Sequence, residues 1–450
     1  MSMMVQTKYG PVEGFRKNGC KVWLGIPFAR PPEGELSFRH PVPPEPWEDV
    51  LSADKGSANP IQGPGGFHIG NNSQDCLYLN VFAPEKAAAP MPVMVWIYGG
   101  SYSQGGAGAK EKDIDRLGYD LSRFAKETGC VVVSFNYRLN LYGFLNLHFL
   151  DSDFDPNNGL YDQILALRFV RENIAAFGGD PENVTLFGQS AGGACILALM
   201  TMREAEGLFH RSIVQSACIE HFFTAAESEA HTRAYLRCAG VCAPGELLSL
   251  DAEKVCRANR RYEAWLLRRG DIRCAFSPVI DGETLRDAPK EAAKRSGMPM
   301  LIGNTSQEGN LFLASMPGFV LPFVTWYIHL KVKKGDGSYK QRACDALTEH
   351  IYVRPQMEIM KAYAGDAWRY EYGYAFPGSK MGCFHASELP VLFGVKMLGY
   401  DGEKDSVGTT LRSVWSRFAR EGTPGWEKGT TGRSREGCCP ERKAQKTTMR

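Results

Sequence analysis

The sequence has no long apolar run, no large excess of charge of one sign and no compact set of cysteines. No segment approaches the roughly 18 uninterrupted apolar residues that a membrane-spanning helix needs. The formal net charge is only +2, which provides no basic field to attract nucleic acid or an acidic membrane surface. We therefore expect neither nucleic acid nor a membrane among the partners.

The cysteines are numerous but have no regular spacing. There are thirteen, an odd count without framework spacing, and a chain of this size does not need disulfides to be stable. Cys238 and Cys242 are separated by three residues, and Cys438 and Cys439 are adjacent, but neither pair has nearby His or Cys at metal-ligand spacing. The amino terminus also lacks the features of a signal peptide. We expect reduced thiols in a cytoplasmic protein, with no metal and no cofactor.

The domain organisation is inferred from the absence of linkers between segments of the chain. The chain has 450 residues, of which 44% are hydrophobic, and we find no linker, repeat or charge block before its last two dozen residues. We predict one large unit over residues 1–426. The tail over residues 427–450 is polar, basic and almost without apolar residues, so we expect it to be irregular or disordered.

Short apolar runs rich in β-branched residues predict buried strands. Near-continuous hydrophobicity is typical of strands that are covered on both faces. Helical patterns lie between the runs, most clearly over residues 160–177. This alternation predicts an α/β fold in which helices flank a mostly parallel central sheet, with helical insertions. The predicted strands are 93–98, 131–137, 184–187, 212–216, 300–303 and 368–374.

A serine between two glycines, in the string Gly188-Gln189-Ser190-Ala191-Gly192, connects a predicted strand to an apolar helix. In such a strand–turn–helix elbow the sharp turn strains the serine backbone, and the glycines leave room for neighbouring main chain. The five-residue pattern alone occurs often by chance. Its position between a strand and a helix favours Ser190 as a nucleophile over an idle serine in an ordinary turn.

A serine nucleophile needs an adjacent base, and three histidines follow Glu308 in the chain. His329 lies in an amphipathic run, where we expect a half-buried structural residue, and His350 ends a polar helical stretch. His385 lies in a loop just after the last predicted strand. Ser190, Glu308 and His385 have the chain order of an α/β-hydrolase triad, which makes His385 the candidate base.

The third group of such a triad holds the imidazole in the correct tautomer and stabilises its positive charge. Glu308 follows a predicted strand closely and lies in a polar turn before Gly309. Asp281 is the competing carboxylate, and we expect it to build a turn instead. By position alone, Glu308 is as compatible with a solvated surface residue as with a catalytic one.

The candidate oxyanion donors lie in two of the loops that follow strands. The glycine pair in Tyr98-Gly99-Gly100-Ser101-Tyr102 lets the main chain approach a substrate closely, and the amide of Ala191 is a second donor by the elbow geometry. A phosphate-binding loop is the alternative, but the glycine spacing fits neither a Walker loop nor the dinucleotide fingerprint. Because these loops follow strands, we expect them at one edge of the sheet.

Short sequence motifs spread over roughly residues 5–426 carry a family resemblance. Through them the sequence resembles the type B carboxylesterase/cholinesterase family, in particular its bacterial para-nitrobenzyl-esterase-like branch. They include Gly-Ile-Pro-Phe-Ala-Arg-Pro-Pro at 25–32, Asp-Cys-Leu-Tyr-Leu-Asn-Val at 75–81 and Phe-Gly-Gly-Asp-Pro at 177–181. Further strings are 96–102, 136–138, 158–163, 215–216, 277–282 and 415–419, beside the loops of the elbow, Glu308 and His385.

This resemblance implies an α/β-hydrolase fold and a serine carboxylesterase that cleaves small-molecule esters through an acyl-enzyme, without metal or cofactor. The implied site consists of Ser190 as nucleophile, His385 as general base and acid, Glu308 as orienting carboxylate, the backbone amides of Gly100, Ser101 and Ala191 as oxyanion hole, and Ser216 as a serine beside the triad.

Two departures from the family pattern carry expectations. The family usually has an arginine at the position of Ser37 and a glutamate at that of Gln74, and these typically form a salt bridge. Losing both charges together can be nearly neutral, so we expect Ser37 and Gln74 to lie close in space. Cys76 matches a cysteine that is disulfide-bonded in secreted relatives. Because Cys20 lies outside the partner loop, we expect Cys76 to be a free thiol.

Two loops bear on the substrate. The loop over residues 61–72 is short and glycine-rich and lacks the tryptophan with which cholinesterases bind choline, which argues against that substrate. The segment over residues 311–350 is compact for the family, which implies a more open gorge. We therefore expect esters with a sizeable apolar acyl or alcohol group.

Two alternative functions stay open at this point. An amidase or carbamate hydrolase of the same fold has the same motifs. A non-catalytic adhesion or scaffold relative is disfavoured because every triad member is present. The protein is expected to be a monomer or a small homo-oligomer.

Overall fold

The computed structural model describes residues 3–63, 71–86, 88, 90–107, 120–313, 316–396, 400, 406–428 and the backbone of 431–434. The strands are β1 (Met4–Gln6), β2 (Pro11–Glu13), β3 (Phe15–Lys17), β4 (Cys20–Pro27), β5 (Leu51–Ser52), β6 (Asn59–Pro60), β7 (Asn72–Ser73), β8 (Tyr78–Pro84), β9 (Met91–Ile97), β10 (Val131–Phe135), β11 (Gly179–Gln189), β12 (Arg211–Gln215), β13 (Phe223–Thr224), β14 (Val279–Ile280), β15 (Met300–Thr305), β16 (Ala367–Tyr372) and β17 (Thr431–Ser434).

The α-helices are α1 (Ser122–Thr128), α2 (Asn140–Phe144), α3 (Asn158–Asn173), α4 (Ala191–Leu199), α5 (Ala225–Ala239), α6 (Ala252–Leu267), α7 (Pro289–Ala293), α8 (Asn310–Leu313), α9 (Leu321–Tyr327), α10 (Tyr339–Thr348), α11 (Arg354–Ala362), α12 (Glu388–Phe393) and α13 (Ser406–Glu421). A π-helical segment over Glu349–Val353 joins α10 to α11. Short 3-10 helices cover Gly34–Leu36, Ile174–Phe177, Arg203–Ala205, Ile219–His221 and Pro244–Ser249.

In the described part of the chain, a ten-stranded sheet forms the centre, in the order β17-β16-β15-β12-β11-β9-β10-β8-β4-β3. From β17 to β10 every neighbouring pair is parallel. The strands β8, β4 and β3 complete the other end in antiparallel pairs. This architecture confirms the expected α/β fold with a mostly parallel sheet.

The parallel strands follow the hydrophobic runs of the sequence. Every residue of β9 and β10 is buried, as expected for strands that helices cover on both faces. All six predicted strands are present, and the predicted helix over 160–177 is α3 followed by a 3-10 turn.

The sequence patterns did not single out β4 and β8, although they form the most extensive antiparallel pair. Their register shifts between Trp23 and Ile26, as at a β-bulge. The polar side chain of Asn80 in β8 fills this irregularity, since its Oδ1 accepts a hydrogen bond of 3.0 Å from the amide of Gly25. Gly25 and Asn80 therefore interrupt the apolar patterns of β4 and β8 at the point where the register of the two strands shifts.

The helical insertions leave the sheet at the carboxyl ends of its strands. Between β12 and β15 the chain forms α5, α6 and α7, and between β15 and β16 it forms α8 to α11. The short strands β13 and β14 pair in parallel within the first insertion. Both insertions thus surround the edge at which the candidate site loops lie.

A buried ion pair links the segment after β10 to α3 and to the amino-terminal segment over residues 36–39. Arg138 follows β10, and its Nη2 donates to Oδ1 of Asp162 in α3 at 2.7 Å, with the side chains 3% and 0% exposed. The Nε of Arg138 donates to both carboxylate oxygens, and its Nη1 donates to the carbonyl groups of Leu36, Ser37 and Arg39. Two of the family-like strings thus build one satisfied structural pair.

Ser37 and Gln74 are in direct contact. The hydroxyl of Ser37 donates to Oε1 of Gln74 at 2.7 Å, which confirms the expectation that these positions lie close in space. A neutral hydrogen bond therefore stands where the family usually has a salt bridge. Cys76 is a buried free thiol, also as expected.

The end of the described chain differs from the irregular structure that the sequence predicts for residues 427–450. The backbone of β17 pairs in parallel with β16. A polar segment can extend the edge of a sheet because such pairing satisfies main-chain groups without burying apolar side chains. Residues 435–450, with Cys438 and Cys439, lie outside the described residues. Within those described, no helix is long and apolar enough to cross a membrane.

Candidate active site

Ser190 lies at the turn between β11 and α4, at the carboxyl edge of the sheet. Its backbone has φ 58° and ψ −124°, a strained region for a residue with a side chain. The amide of Ser190 donates to the carbonyl of Gln215 at 2.8 Å, and its carbonyl accepts from Ala194 at 3.0 Å. These two bonds fix the strained turn and present the hydroxyl beyond the end of the strand.

The glycines of the elbow are required by close approach of β9. A Cβ at Gly192 would lie 2.1 Å from the carbonyl oxygen of Ile97, and one at Gly188 would lie 2.7 Å from the same oxygen. Side chains at either position would collide with backbone. The sequence interpretation of the five-residue string as a nucleophile elbow agrees with this geometry.

Glu308 lies in the turn after β15 and is fully buried. One carboxylate oxygen, Oε1, accepts hydrogen bonds of 2.6 Å from the hydroxyl of Ser216 and of 2.6 Å from the amide of Thr305. The other oxygen, Oε2, lies 2.5 Å from Nδ1 of His385. Glu308 is therefore not a surface residue, and Ser216 lies beside it.

His385 lies in the loop between β16 and α12, and a second contact ties this loop to the turn of Glu308. The amide of Gln307 donates to the carbonyl of Cys383 at 3.1 Å, and the amide of Cys383 donates to Oε1 of Gln307 at 3.0 Å. This reciprocal pair sets the two loops side by side. The carboxylate and the imidazole are thus aligned by backbone as well as by their own bond.

The environment of His385 favours its protonated form. Burial lowers the pKa of His385, but the charge of Glu308 and its hydrogen bond outweigh burial, so the pKa is raised above its ordinary value. A carboxylate only accepts hydrogen bonds, so Nδ1 carries the proton that faces Glu308. In the neutral ring, Nε2 is therefore the acceptor nitrogen.

The described contacts do not include a hydrogen bond between Ser190 and His385. Nε2 of His385 lies 3.1 Å from Nε2 of Gln189, the residue before the serine, and Oγ of Ser190 lies 3.9 Å from Sγ of Cys218. The imidazole is thus beside the elbow, with the Gln189 amide at the nitrogen that a serine would use. The structure thus brings Glu308 and His385 into direct contact and places the imidazole beside the residue that precedes Ser190.

The loop after β9 packs directly on the elbow. A Cβ at Gly99 would lie 2.4 Å from the carbonyl oxygen of Gln189 and 2.9 Å from Cβ of Ser190. Gly100 and Ser101 have positive φ angles of 114° and 55°, which turn the loop sharply. Among the described residues, the amides of Gly100, Ser101 and Ala191 donate to no other group, and such free donors suit a developing oxyanion.

A second buried carboxylate, Glu388, lies at the start of α12. Its Oε1 accepts from Nε2 of Gln215 at 3.2 Å. Burial and the charge of Glu308 raise the pKa of Glu388 to about 7. Sequence reasoning missed Glu388, although its spacing of three residues from His385 was a visible signal. It also missed Gln189 and Gln307, whose roles depend on contacts between distant loops.

Two aromatic rings pack against His385. The rings of Tyr352 and Phe312 lie 5.1 Å and 5.6 Å from the imidazole, measured between centroids. Both residues come from the helical insertion between β15 and β16, which the sequence marked only as compact. An apolar wall of this kind suits an acyl or alcohol group rather than a charged substrate.

The competing residues lie away from this constellation. Asp281 accepts hydrogen bonds from the amides of Glu283, Thr284 and Leu285, so it builds a turn as expected. His329 is exposed, so the expectation of a half-buried residue was wrong: α9 ends at Tyr327, and His329 lies in the turn that follows, with a positive φ of 55°. His350 is also exposed.

Metal-binding side chains do not gather in the residues that the structure describes. No group of three or more His, Cys, Asp or Glu side chains there is arranged to hold a metal ion. Cys238 is half-buried and Cys242 is exposed, and both are free thiols.

Comparison with known proteins gives consistent results. The carboxylesterase family model matches residues 1–323. Para-nitrobenzyl esterase of Bacillus subtilis (strain 168) is 35% identical over 94% of this chain and 91% of its own length. Carboxylesterase 4A of Bos taurus is 30% identical over 94% of this chain and 87% of its own.

Solved structures are similar over the same extent. A thermophilic PNB esterase superposes with a TM-score of 0.82 at 32% identity, covering 95% of this chain and 92% of that one. The carboxylesterase EST55 of Geobacillus stearothermophilus, at pH 6.2, gives a TM-score of 0.81 at 32% identity, covering 95% and 94%.

Proposed function

The chain belongs to the carboxylesterase family, and on that premise we propose that Ser190, His385 and Glu308 are its catalytic triad. It is a serine hydrolase of carboxylic esters with the α/β-hydrolase fold. The observation that carries the residue assignment is the 2.5 Å contact between Nδ1 of His385 and the buried Glu308, which leaves Nε2 beside the nucleophile elbow.

The proposed reaction has two steps. Oγ of Ser190 attacks the ester carbonyl carbon while Nε2 of His385, released from the Gln189 amide, takes the hydroxyl proton. Glu308 stabilises the imidazolium. His385 then gives the proton to the departing alcohol, leaving an acyl group on Ser190. Water, deprotonated by the same nitrogen, attacks the acyl-enzyme and releases the acid.

The tetrahedral intermediates carry a negative oxygen that needs donors. We assign this role to the backbone amides of Gly100, Ser101 and Ala191, because they are unpaired among the described residues and border the elbow. Each donor is worth about 3 to 4 kcal/mol of transition-state stabilisation. Ser216 holds Glu308 in place through its 2.6 Å hydrogen bond and does not touch the substrate.

The proposal also covers the substrate class, the domain bounds, the cellular location and the oligomeric state. The substrates are small-molecule esters, and aromatic walls at Phe312 and Tyr352 favour those with a sizeable apolar group. We assign the hydrolase domain to residues 1–426. A cytoplasmic location fits the free thiols in the described part of the chain, and a monomer or small homo-oligomer remains the proposed state.

The test is Ser190→Ala with para-nitrophenyl esters as substrates. Turnover should fall by at least about 10³-fold, because no other group supplies the attacking oxygen. Ser249→Ala is the matched control, since Ser249 is exposed and its hydroxyl bonds only to the carbonyl of Glu246. A fluorophosphonate probe should label the unchanged chain at Ser190 and leave the variant unlabelled.

Two outcomes would overturn parts of this proposal. A folded Ser190→Ala variant that keeps more than a tenth of the turnover removes Ser190 as nucleophile. Absence of fluorophosphonate labelling in the unchanged chain would favour a non-catalytic relative. Matched ester and amide substrates distinguish an amidase, since the same triad serves both leaving groups.

A further inference from the structure

Two cysteines that the reaction does not use border the nucleophile. Cys218 lies in the loop after β12, and its Sγ is 3.9 Å from Oγ of Ser190 and 3.9 Å from the hydroxyl of Tyr352. Cys218 is 5% exposed and Ser190 is 6% exposed. A small reagent that reaches the serine therefore also contacts this thiol.

The second thiol belongs to a different loop, the one before β14. Cys274 is 8% exposed, and its Sγ lies 3.1 Å from Nδ1 of His221. His221 is three residues after Cys218 in the chain. The thiol of Cys274 therefore lies against the loop that carries Cys218.

The backbone explains why the two loops meet. Phe223 of β13 is paired with Val279 of β14 in a parallel register, and each cysteine lies five residues before its paired residue. The amide of Cys274 also donates to Nδ1 of His221 at 3.1 Å. Main-chain pairing and the contacts of His221 thus hold the loops of the two cysteines side by side.

The other buried cysteines lack these features. Burial raises the pKa of Cys76, Cys130 and Cys195 above the ordinary value, as expected for inert thiols. For Cys218 the hydrogen bond from Cys274 outweighs burial, and the pKa is lowered with further help from His221. Thiolate character and access to small molecules are the conditions for a reactive cysteine.

We infer that Cys218 is a modification site for hydroperoxides that enter the ester-binding crevice, with Cys274 as the resolving thiol. The thiolate of Cys218 attacks the peroxide O–O bond, forms a sulfenic acid and releases an alkoxide or hydroxide that takes up a proton. Cys274 then attacks the sulfenic sulfur, a disulfide forms and water leaves. The peroxide gains the two electrons that the thiol pair loses.

Oxidation of the two thiols inhibits the esterase, a consequence that depends on the proposed role of Ser190. The disulfide draws the sulfur of Cys218 toward Cys274 and fixes the loop after β12 to the loop before β14. That loop begins next to Gln215, whose carbonyl holds the amide of Ser190. A thiol reductant reverses the change, because exchange at an accessible disulfide restores both thiols.

The experiment treats the purified full chain with hydrogen peroxide and follows both disulfide formation and esterase activity. Trypsin places Cys218 in the peptide 212–233 and Cys274 in the peptide 274–286, each with a single cysteine. Non-reducing mass spectrometry should find these two peptides joined. Esterase activity should fall at least tenfold and return with dithiothreitol.

Two variants separate the pair from general oxidation, each compared with its own untreated activity. Cys274→Ser should form no cross-link, and its lost activity should not return with dithiothreitol, because the sulfenic acid proceeds to a sulfinic acid. Cys242→Ser removes an exposed thiol outside the site and should keep both the cross-link and the reversible loss.

The outcomes distinguish the inference from the triad assignment. Absence of the 212–233 to 274–286 cross-link at peroxide levels that oxidise Cys242 overturns the modification site. A cross-link that leaves activity unchanged overturns its control of the esterase. If Ser190→Ala keeps turnover while the cross-link still forms, the triad assignment fails and the thiol pair stands.

Discussion

Two buried ion pairs lie near the carboxyl edge of the sheet, and they differ in how many of their atoms are already occupied. In the pair of Arg138 and Asp162, donors bridge both carboxylate oxygens and the remaining guanidinium bonds go to carbonyl groups. In the pair of His385 and Glu308, one imidazole nitrogen is engaged with the carboxylate and the other faces the replaceable amide of Gln189.

This difference indicates that the first pair stabilises the fold and that the second pair can transfer a proton. Arginine stays charged at every accessible pH, so the pair of Arg138 and Asp162 is a permanent link whose loss leaves a buried charge. The imidazole of His385 changes charge, and its Nε2 can exchange a proton once the amide of Gln189 is displaced. Damage to the first pair should therefore appear in stability, and damage to the second in turnover.

The largest expected effect is on turnover, from Glu308→Gln. The new amide can donate to Nδ1 of His385 and so impose the tautomer whose Nε2 carries the proton and cannot act as a base. Turnover of para-nitrophenyl esters should fall about 10⁴-fold with little change in the melting temperature. Glu358→Gln is the control, because Glu358 is a surface residue paired with Lys290. A kcat within tenfold of the unchanged chain would contradict the triad.

The next effect is on stability, from Arg138→Leu. The change removes the cation beside buried Asp162 and leaves the backbone amide of residue 138 as a donor to it, which costs about 3 to 5 kcal/mol. Turnover per folded molecule should stay the same. Combining Arg138→Leu with Asp162→Leu in a double-mutant cycle, followed by urea unfolding, should show a loss well below the sum of the single losses. Additive single losses would mean that the pair is not coupled.

The smallest effect is a shift of the pH profile, from Glu388→Gln. Burial lowers the pKa of His385, while Glu308 and, to a smaller extent, Glu388 raise it. The base acts when neutral, so activity is lost as the pH falls below this pKa. Removing the charge of Glu388 lowers the pKa and should move the acid limb of kcat/KM to lower pH.

This shift should be less than about one pH unit, because Glu388 itself has a pKa of about 7 and is partly neutral along the limb. Glu421→Gln, at an exposed carboxylate paired with Arg417, should leave the limb in place. A limb that moves to higher pH would contradict the electrostatic link between Glu388 and His385.

The parallel part of the fold could be predicted because its signals are local. Continuous apolar runs mark strands such as β9 and β10, which are buried on both faces. The antiparallel pair β4 and β8 was not singled out, since Gly25 and Asn80 interrupt its pattern for a reason visible only in the pairing. The pairing of β17 depends on backbone groups, which a polar sequence does not reveal.

The same division applies to the site. Ser190, Glu308 and His385 could be singled out because each follows a strand whose end lies at a shared edge. Gln189, Gln307 and Glu388 could not, because their importance comes from contacts between loops far apart in the chain. The approach of the Cys218 and Cys274 loops depends likewise on the pairing of β13 with β14.

The packing of Gly99 on the elbow has a mechanical consequence. No space remains between the loop after β9 and the backbone of Gln189, so the attacking serine and the proposed oxyanion donors cannot shift independently. We therefore expect the loop and the elbow to move together. Changes in substrate range are then expected in the two helical insertions, outside the turn that carries Glu308.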